Sequence, residues 1–389
     1  MKLFLTSVLA IALALANTAK ADTLRIGLLR LEQDPRYDED MAYARIQLRP
    51  LGDVSTAVQM AISDMKILTD ARGLTTVLSQ ALADETDLTT VASELASAGV
   101  THLIVDLPAA QVDAVATVLA DTQVTVLNTT APDDWLRSKC HANLLHTAAS
   151  DRMIADTLVQ HAVSQKWKNL LVLRGKTERD GTRADAFMEA AARFRLRIVA
   201  DREFDLSTNP SMREQNNIAL ITGGSRDYDA IFMADEIGEF ARYVPYQTAL
   251  PRPVIGATGL VAAEWHWAFE RYGAPQVNSR FADQSKGARR MAWQDWSAWI
   301  ATRAVLTAFA KARGDELADA NALLRAAKLR LDGSKGAQMS FRPWSSQLRM
   351  PILLSTHNAI IAVAPLEGFL HQTSTLDALG YDEREFACD

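Results

Sequence analysis

Short apolar runs and helical stripes alternate along most of the chain. LRIGLLR, beginning at Leu24, is an apolar run with one glycine, the pattern of a buried strand entering a loop. Across residues 53–70 the apolar positions Val54, Val58, Ala61, Ile62, Met65 and Leu68 fall at helical spacing on one stripe. The unit then repeats. THLIVDLPAA precedes a helix through Val112, Val115 and Leu119, VTVLNTTAP follows, and NLLVLRGKTERDG leads into a helix carrying Phe187, Ala190, Ala191 and Phe194. LRIVADREF, YDAIFMADE and PRPVIGATGL continue the series. Strands alternating with helices predict βαβ units, so the class is α/β, with parallel sheets covered by helices on both faces.

After about residue 283 the texture changes to long helices, predicted over residues 286–312 and 315–329. It returns to strand-like QMSFRP, RMPILLS and AIIAVAP near the end. Those last strands must join a sheet that earlier segments have already formed. With no Gly/Pro/Ser-rich linker and no short repeat, the pattern predicts two doubly wound lobes connected by several crossings.

Composition narrows the function class. The chain has 389 residues, 48% hydrophobic and 23% charged, which suits an ordinary globular core. Its 41 basic and 47 acidic residues give a formal charge of −6 with no basic footprint, which argues against a nucleic-acid partner. The N-terminal MKLFLTSVLAIALALANTAKA has Lys2, an apolar run and an A-x-A site ending at Ala21, the signature of an export signal, residues 1–21, cleaved after Ala21. Export makes one bridge the expected state of Cys140 and Cys388, two free thiols being the alternative.

Catalytic signatures are missing: no phosphate-binding G-x-x-x-x-G-K-[ST], no G-x-G-x-x-G, no G-x-S-x-G and no H-E-x-x-H occurs. The histidines are scattered without ligand spacing, so no metal and no cofactor is expected. LEQDPRYDEDM offers Glu32, Asp34, Asp38, Glu39 and Asp40 to a hard cation, against the plainer reading of a solvated loop. Trp293, Trp296 and Trp299 share one helical face and are expected in the core, whereas Trp265 follows the strand and loop VIGATGL, from which an aromatic could reach a cleft.

Taken in order, the export signal, AVQMAISD, HTAASDRMIADTLV, LLVLRGKTERDGTRADAFMEAA, YDAIFMADE and PVIGATGL resemble the type I periplasmic solute-binding proteins of ABC importers, the branched-chain amino-acid-receptor class. EWHWAFERYGAPQVNSRF, FRPWSSQLRMPILLS and the ending TSTLDALGYDEREFACD resemble, more narrowly, a subset associated with PQQ-dependent alcohol oxidation systems. The resemblance implies two lobes joined by three crossings and closing on a ligand, the first spanning residues 22–143 plus 262–341, the second 144–261 plus 345–372, with 373–389 as a tail. It implies ligand contacts from Asp106, Leu107, Pro108, Asn128, Thr129 and Thr130 in the first lobe. From the second it implies Arg174, Lys176, Arg179, Asp235, Glu236 and Thr258; Trp265, read above from its place after VIGATGL, is the further candidate. A monomer in the periplasm, working with an inner-membrane permease and ATPase, is what it implies of partners.

This sequence departs from the class at two places. An acid, Asp106, stands in the loop where the class carries hydroxyl residues for a ligand carboxylate, and Arg179 with charged neighbours stands where an aromatic is usual. The expectation is therefore a small oxygenated solute rather than a leucine-like amino acid. A ligand-sensing partner of a membrane signalling protein and a secreted enzyme are the alternatives.

Overall fold

The structure is a computed structural model that describes residues 22–37, 52–205, 216–224, 227–313, 316–326 and 329–388. The export segment and Asp38, Glu39 and Asp40 lie outside the described residues. Strand β1 (Asp22–Leu31) is followed by helix α1 (Ser55–Ala71), β2 (Leu74–Ala83), α2 (Leu88–Ser97), β3 (His102–Asp106), α3 (Ala109–Val118), β4 (Thr125–Asn128), α4 (Asp134–Ser138) and β5 (Leu144–His146). The five strands form one parallel sheet in the order β2-β1-β3-β4-β5. Every residue of β3 and β4 is buried, as expected of parallel strands covered on both faces.

A second parallel sheet, in the order β7-β6-β8-β9, is built from β6 (Asn169–Arg174), β7 (Arg197–Glu203), β8 (Ala230–Ala234) and β9 (Val254–Gly256). Helices α5 (Asp151–Ser164) and α6 (Glu178–Arg193) pack on each other at its face. The start of α6 shows how local sequence sets this geometry. Thr177 Oγ1 accepts from the Asp180 amide at 3.0 Å and Asp180 Oδ2 accepts from the Thr177 amide at 3.3 Å, a reciprocal cap. Gly175 makes room for it, because a Cβ there would lie 2.3 Å from Asp180 Oδ2.

The later chain returns to the first sheet and then leaves it again. After β10 (Val261–Ala263) come helices Ala274–Gln284 and Trp293–Lys311, both packed on α1, then helix Glu316–Arg325 and the short pair β11 (Leu331–Asp332) and β12 (Gln338–Met339). Finally β13 (Ile352–Ser355) and β14 (Ile360–Ala364) join β10 in an antiparallel sheet, and the tail after them carries a 3-10 turn, Thr375–Ala378. The α/β class and the two parallel-sheet lobes match the sequence expectation. The long helix is shorter than the predicted 286–312, because Lys286 and Gly287 take left-handed φ values of +54° and +75° that end the preceding helix. Asp295 then starts the new helix by accepting from the Ala292 amide at 2.9 Å. The last helix is likewise shorter than the predicted 315–329.

Three passages of chain run between the lobes, and side chains knit them together. The first follows β5, the second lies at Ala263–Trp265, and the third spans residues 342–351. His146 donates its amide to Ser346 O at 2.9 Å and accepts from the Leu348 amide at 2.8 Å, so the first and third lie side by side. Fully buried Glu264 accepts from the Ala149 amide at 2.8 Å. Lys335 Nζ donates to Glu264 O at 2.9 Å and to Pro351 O at 2.6 Å, and sits 3.5 Å over the Trp296 ring. Burial pushes the Glu264 carboxyl up and the Lys335 ammonium down, and the attraction between the two opposes both shifts.

That pairing generates a test. Lys335→Met removes the donor to Glu264 O and Pro351 O and the ammonium that attracts the Glu264 carboxyl, so unfolding free energy should fall by about 3 kcal/mol at pH 8. The loss should shrink toward pH 5, where the lone carboxyl takes up a proton: a folded pKa raised above the unfolded one destabilises as pH rises. Adding Glu264→Gln should recover much of the loss. Urea denaturation of both variants at the two pH values measures it, and a pH-independent loss would count against the charge argument.

Candidate functional site

The carboxyl ends of the strands in the five-stranded sheet line up. Parallel registry sets Arg30 beside Asp106, Val105 beside Asn128, and Asn128 beside His146, so Arg30, Asp106, Asn128 and His146 mark one edge. Open α/β sheets bind ligands in the crevice beyond that edge. Here the edge is densely satisfied by the chain itself. Asp106, with no exposed surface, accepts from Arg36 Nη2 at 2.9 Å, from the Tyr37 hydroxyl at 2.9 Å and from Thr130 Oγ1 at 3.0 Å. Arg36 also donates to Thr130 Oγ1 at 3.0 Å and pairs with Asp34. Burial, and then the Asp106 charge, push the Tyr37 hydroxyl well above its usual range, so it serves as a donor.

The neighbouring loop turns its polar groups inward. Thr129 Oγ1 donates to Val105 O at 2.9 Å, and Asn128 Oδ1 accepts from the amides of Thr130 and Ala131 at 3.2 and 2.9 Å. Leu107 is buried in the core under α3, and Pro108 is the residue before that helix. Among the described residues no group of three metal-ligating side chains occurs, and Asp34 is taken up by Arg36.

On the four-stranded side the charged residues divide into two kinds. Arg174 bonds Asp201 at 2.9 Å and lies 3.8 Å from Asp185, while Lys176 bonds Asp205 at 2.7 Å, so both are paired within their own lobe. Asp235 shapes its loop by accepting from the Gly238 and Ala241 amides at 2.8 Å, and Glu236 donates its amide to Asp180 Oδ1 at 2.6 Å. Thr258 is half-buried at the end of β9. Arg179 is different: it grips Asp151, with Nη1 to Oδ2 at 2.5 Å, and reaches to 3.6 Å from Asp133 in the loop leading to α4. Because α4 packs on α3, that contact bridges the lobes.

Trp265 is placed in the core rather than at the cleft. It is 2% exposed, donates to Asn278 Oδ1 at 3.0 Å, and stacks on Trp296 with ring centroids 6.4 Å apart. The buried Glu264 backbone beside it fixes this inward orientation. Trp296 and Trp299 are buried as their spacing predicts, and Trp293 is half-buried. What sequence reasoning missed is Arg36 and Tyr37. Both lie in the segment read as an acidic loop, and the only signal was a cation and a phenol among acids shortly after β1.

Next to Arg179 sits a carboxyl in an unusual state. Asp134 is half-buried as a residue, but its Oδ1 is shut from solvent without a hydrogen-bond partner, while Oδ2 accepts from the Arg152 amide at 3.0 Å. Burial first, then repulsion by Asp151, against the pull of Arg137, push this carboxyl up to about 7. The folded state therefore holds a proton that the unfolded chain releases near pH 4, and stability declines as pH rises through the window between. Asp134→Asn mimics the protonated form. The variant should match the parent near pH 4 and exceed it by roughly 2–4 kcal/mol at pH 8. Melting curves across that range test it, and parallel pH profiles would refute it.

No protein-family model matches the chain, and no curated protein matches it. Solved structures do. A branched-chain amino-acid ABC transporter periplasmic ligand-binding protein from Burkholderia xenovorans is similar at a TM-score of 0.67 and 14% identity, over 87% of this chain and 95% of that one. An ABC transporter substrate-binding protein from Desulfitobacterium hafniense in complex with Leu gives 0.64 and 16%, over 87% and 99%. A solute-binding protein of an ABC transporter from R. palustris, in complex with 4-hydroxybenzoate, gives 0.63 and 12%, over 87% and 95%. The shared feature is the two-lobe fold of type I periplasmic binding proteins.

Proposed function

We propose that this protein is the exported solute-binding component of an ABC importer and is not an enzyme, holding a small organic solute between its lobes. The observation that carries the reading is the arrangement of two parallel sheets, with Arg179 of one lobe reaching Asp133 of the other where a closing cleft would meet. Likeness over nearly the full length of structures named as transporter binding proteins supports it. No helix among the described residues is long and apolar enough to cross a membrane; the partners we propose are a permease and an ATPase at the inner membrane. We take the lobes as residues 22–143 plus 262–341 and 144–261 plus 345–372, the mature chain as starting after Ala21, and the molecule as a monomer.

The ligand we favour is an oxygenated solute, in keeping with a link to PQQ-dependent alcohol oxidation. The hydroxyls of Thr129 and Thr130 are turned into the protein and Asp106 is matched by Arg36, which leaves no free hydroxyl pair there for an amino-acid carboxylate. Glu236, half-buried near Arg179, and Thr258 are the groups left to meet a ligand from the four-stranded side.

A melting screen over amino acids, short alcohols, aldehydes and carboxylates tests both parts. A true ligand at a hundredfold excess over its Kd should stabilise by about 2.7 kcal/mol. Scattering should then show a smaller radius of gyration, since contacts from both lobes coexist only when they close. Stabilisation by leucine or valine alone would overturn the choice of ligand, and binding without compaction would overturn the closing mechanism.

A further inference from the structure

The last 17 residues do more than end the chain. Asp377, on the turn Thr375–Ala378, is buried between two arginines of the third passage: Arg342 Nε donates to Oδ1 at 2.8 Å, and Arg349 Nε to Oδ1 and Oδ2 at 2.8 and 3.0 Å. Arg342 also donates to Leu376 O at 3.0 Å and Leu379 O at 2.6 Å. The chain then lies on α5 of the four-stranded lobe. Gln160 donates to Ala378 O at 3.0 Å, the Gly380 amide donates to Asp156 Oδ2 at 2.8 Å, and the Arg152 guanidinium stacks 3.9 Å over the Tyr381 ring and pairs with Glu385. Gly380 is required for this approach: its φ is +83°, and a Cβ would lie 2.9 Å from Met153 Cγ.

The far end of the same tail is covalently held by the other lobe. Cys388 is bridged to Cys140, two residues past α4, across a sequence separation of 248 residues. Between the last anchor on α5, Glu385, and the bridge there are only Phe386 and Ala387. Three residue steps of extended chain span roughly 10 Å. Asp382 O accepts from the amides of both Glu385 and Phe386, at 3.1 and 3.0 Å, so little slack lies upstream.

We propose that the C-terminal tail is a leash across the hinge, which limits how far the lobes can separate. The lobes are in contact through Arg179 and Asp133; the motion that the leash would limit is an opening in which the far end of α4, and Cys140 beyond it, draws away from the stretch of α5 that anchors the tail. A tail zipped to α5 and the third passage, and bonded to the α4 side, allows that motion only as far as its short free segment reaches. The limit acts on the ligand-free protein and does not depend on which ligand, if any, the cleft takes.

The test is scattering from the ligand-free mature chain in three forms: the parent, a variant with four Gly/Ser residues inserted between Phe386 and Ala387, and Cys140→Ser with Cys388→Ser. The insertion keeps the bridge, adds roughly 13 Å of reach and barely alters loop-closure entropy. Both variants should show a larger radius of gyration than the parent, by on the order of 1 Å as in a hinge opening. If the double-serine variant fails to fold, the insertion variant decides alone. Equal radii for the parent and the folded insertion variant would overturn the leash and leave the bridge as a stabilising cross-link only.

Discussion

Everything about this molecule depends on satisfying the backbone where the chain passes between its lobes. Sheet ladders end there, yet the carbonyls and amides remain buried, and each unpaired one would cost free energy comparable to a lost hydrogen bond. Side chains take over that task. Arg137 donates to Ala131 O, Asp133 O and Ala148 O and to the Gln347 amide oxygen, and Gln347 donates in turn to Ala148 O at 2.9 Å. Lys335 and Glu264 do the same for the second and third passages. These charges are buried because the junction must be both dry and fully bonded.

The same requirement explains why the crevice edge is so charged and so self-contained. Asp106 ends a strand whose residues are all buried, so its carboxylate has to be met by the chain: Arg36, Tyr37 and Thr130 converge on it. On the opposite side Arg174 at the end of β6 and Lys176 just past it are neutralised within their own lobe, whereas Arg179 extends to Asp133. Electrostatics at this site therefore works mainly to hold the lobes and loops in place, with few groups left over for a ligand.

Much of the fold was legible in the sequence because its signals are local. Repeated apolar runs and helical stripes report burial on both faces of parallel strands, and they predict an α/β protein with two sheets. The spacing of Trp296 and Trp299 announces a core face. Helix ends were read less well, since Lys286 takes a left-handed conformation that its residue type does not signal.

Sequence by itself determined the strand and helix series, an export segment as an expectation, and two cysteines suited to one bridge. Only the tertiary structure decided which charges meet. Arg36 with Asp106, Arg179 with Asp133, and Asp377 between Arg342 and Arg349 are pairs drawn from distant parts of the chain, and nothing periodic marks them. The physical reason is that burial of apolar residues follows a repeating geometry that a single segment can display, whereas pairing of buried charges depends on where separate segments come to rest. Trp265 shows the same limit: its position after a loop suggested the cleft, and the packing of Trp296 and Asn278 around it turned it into the core.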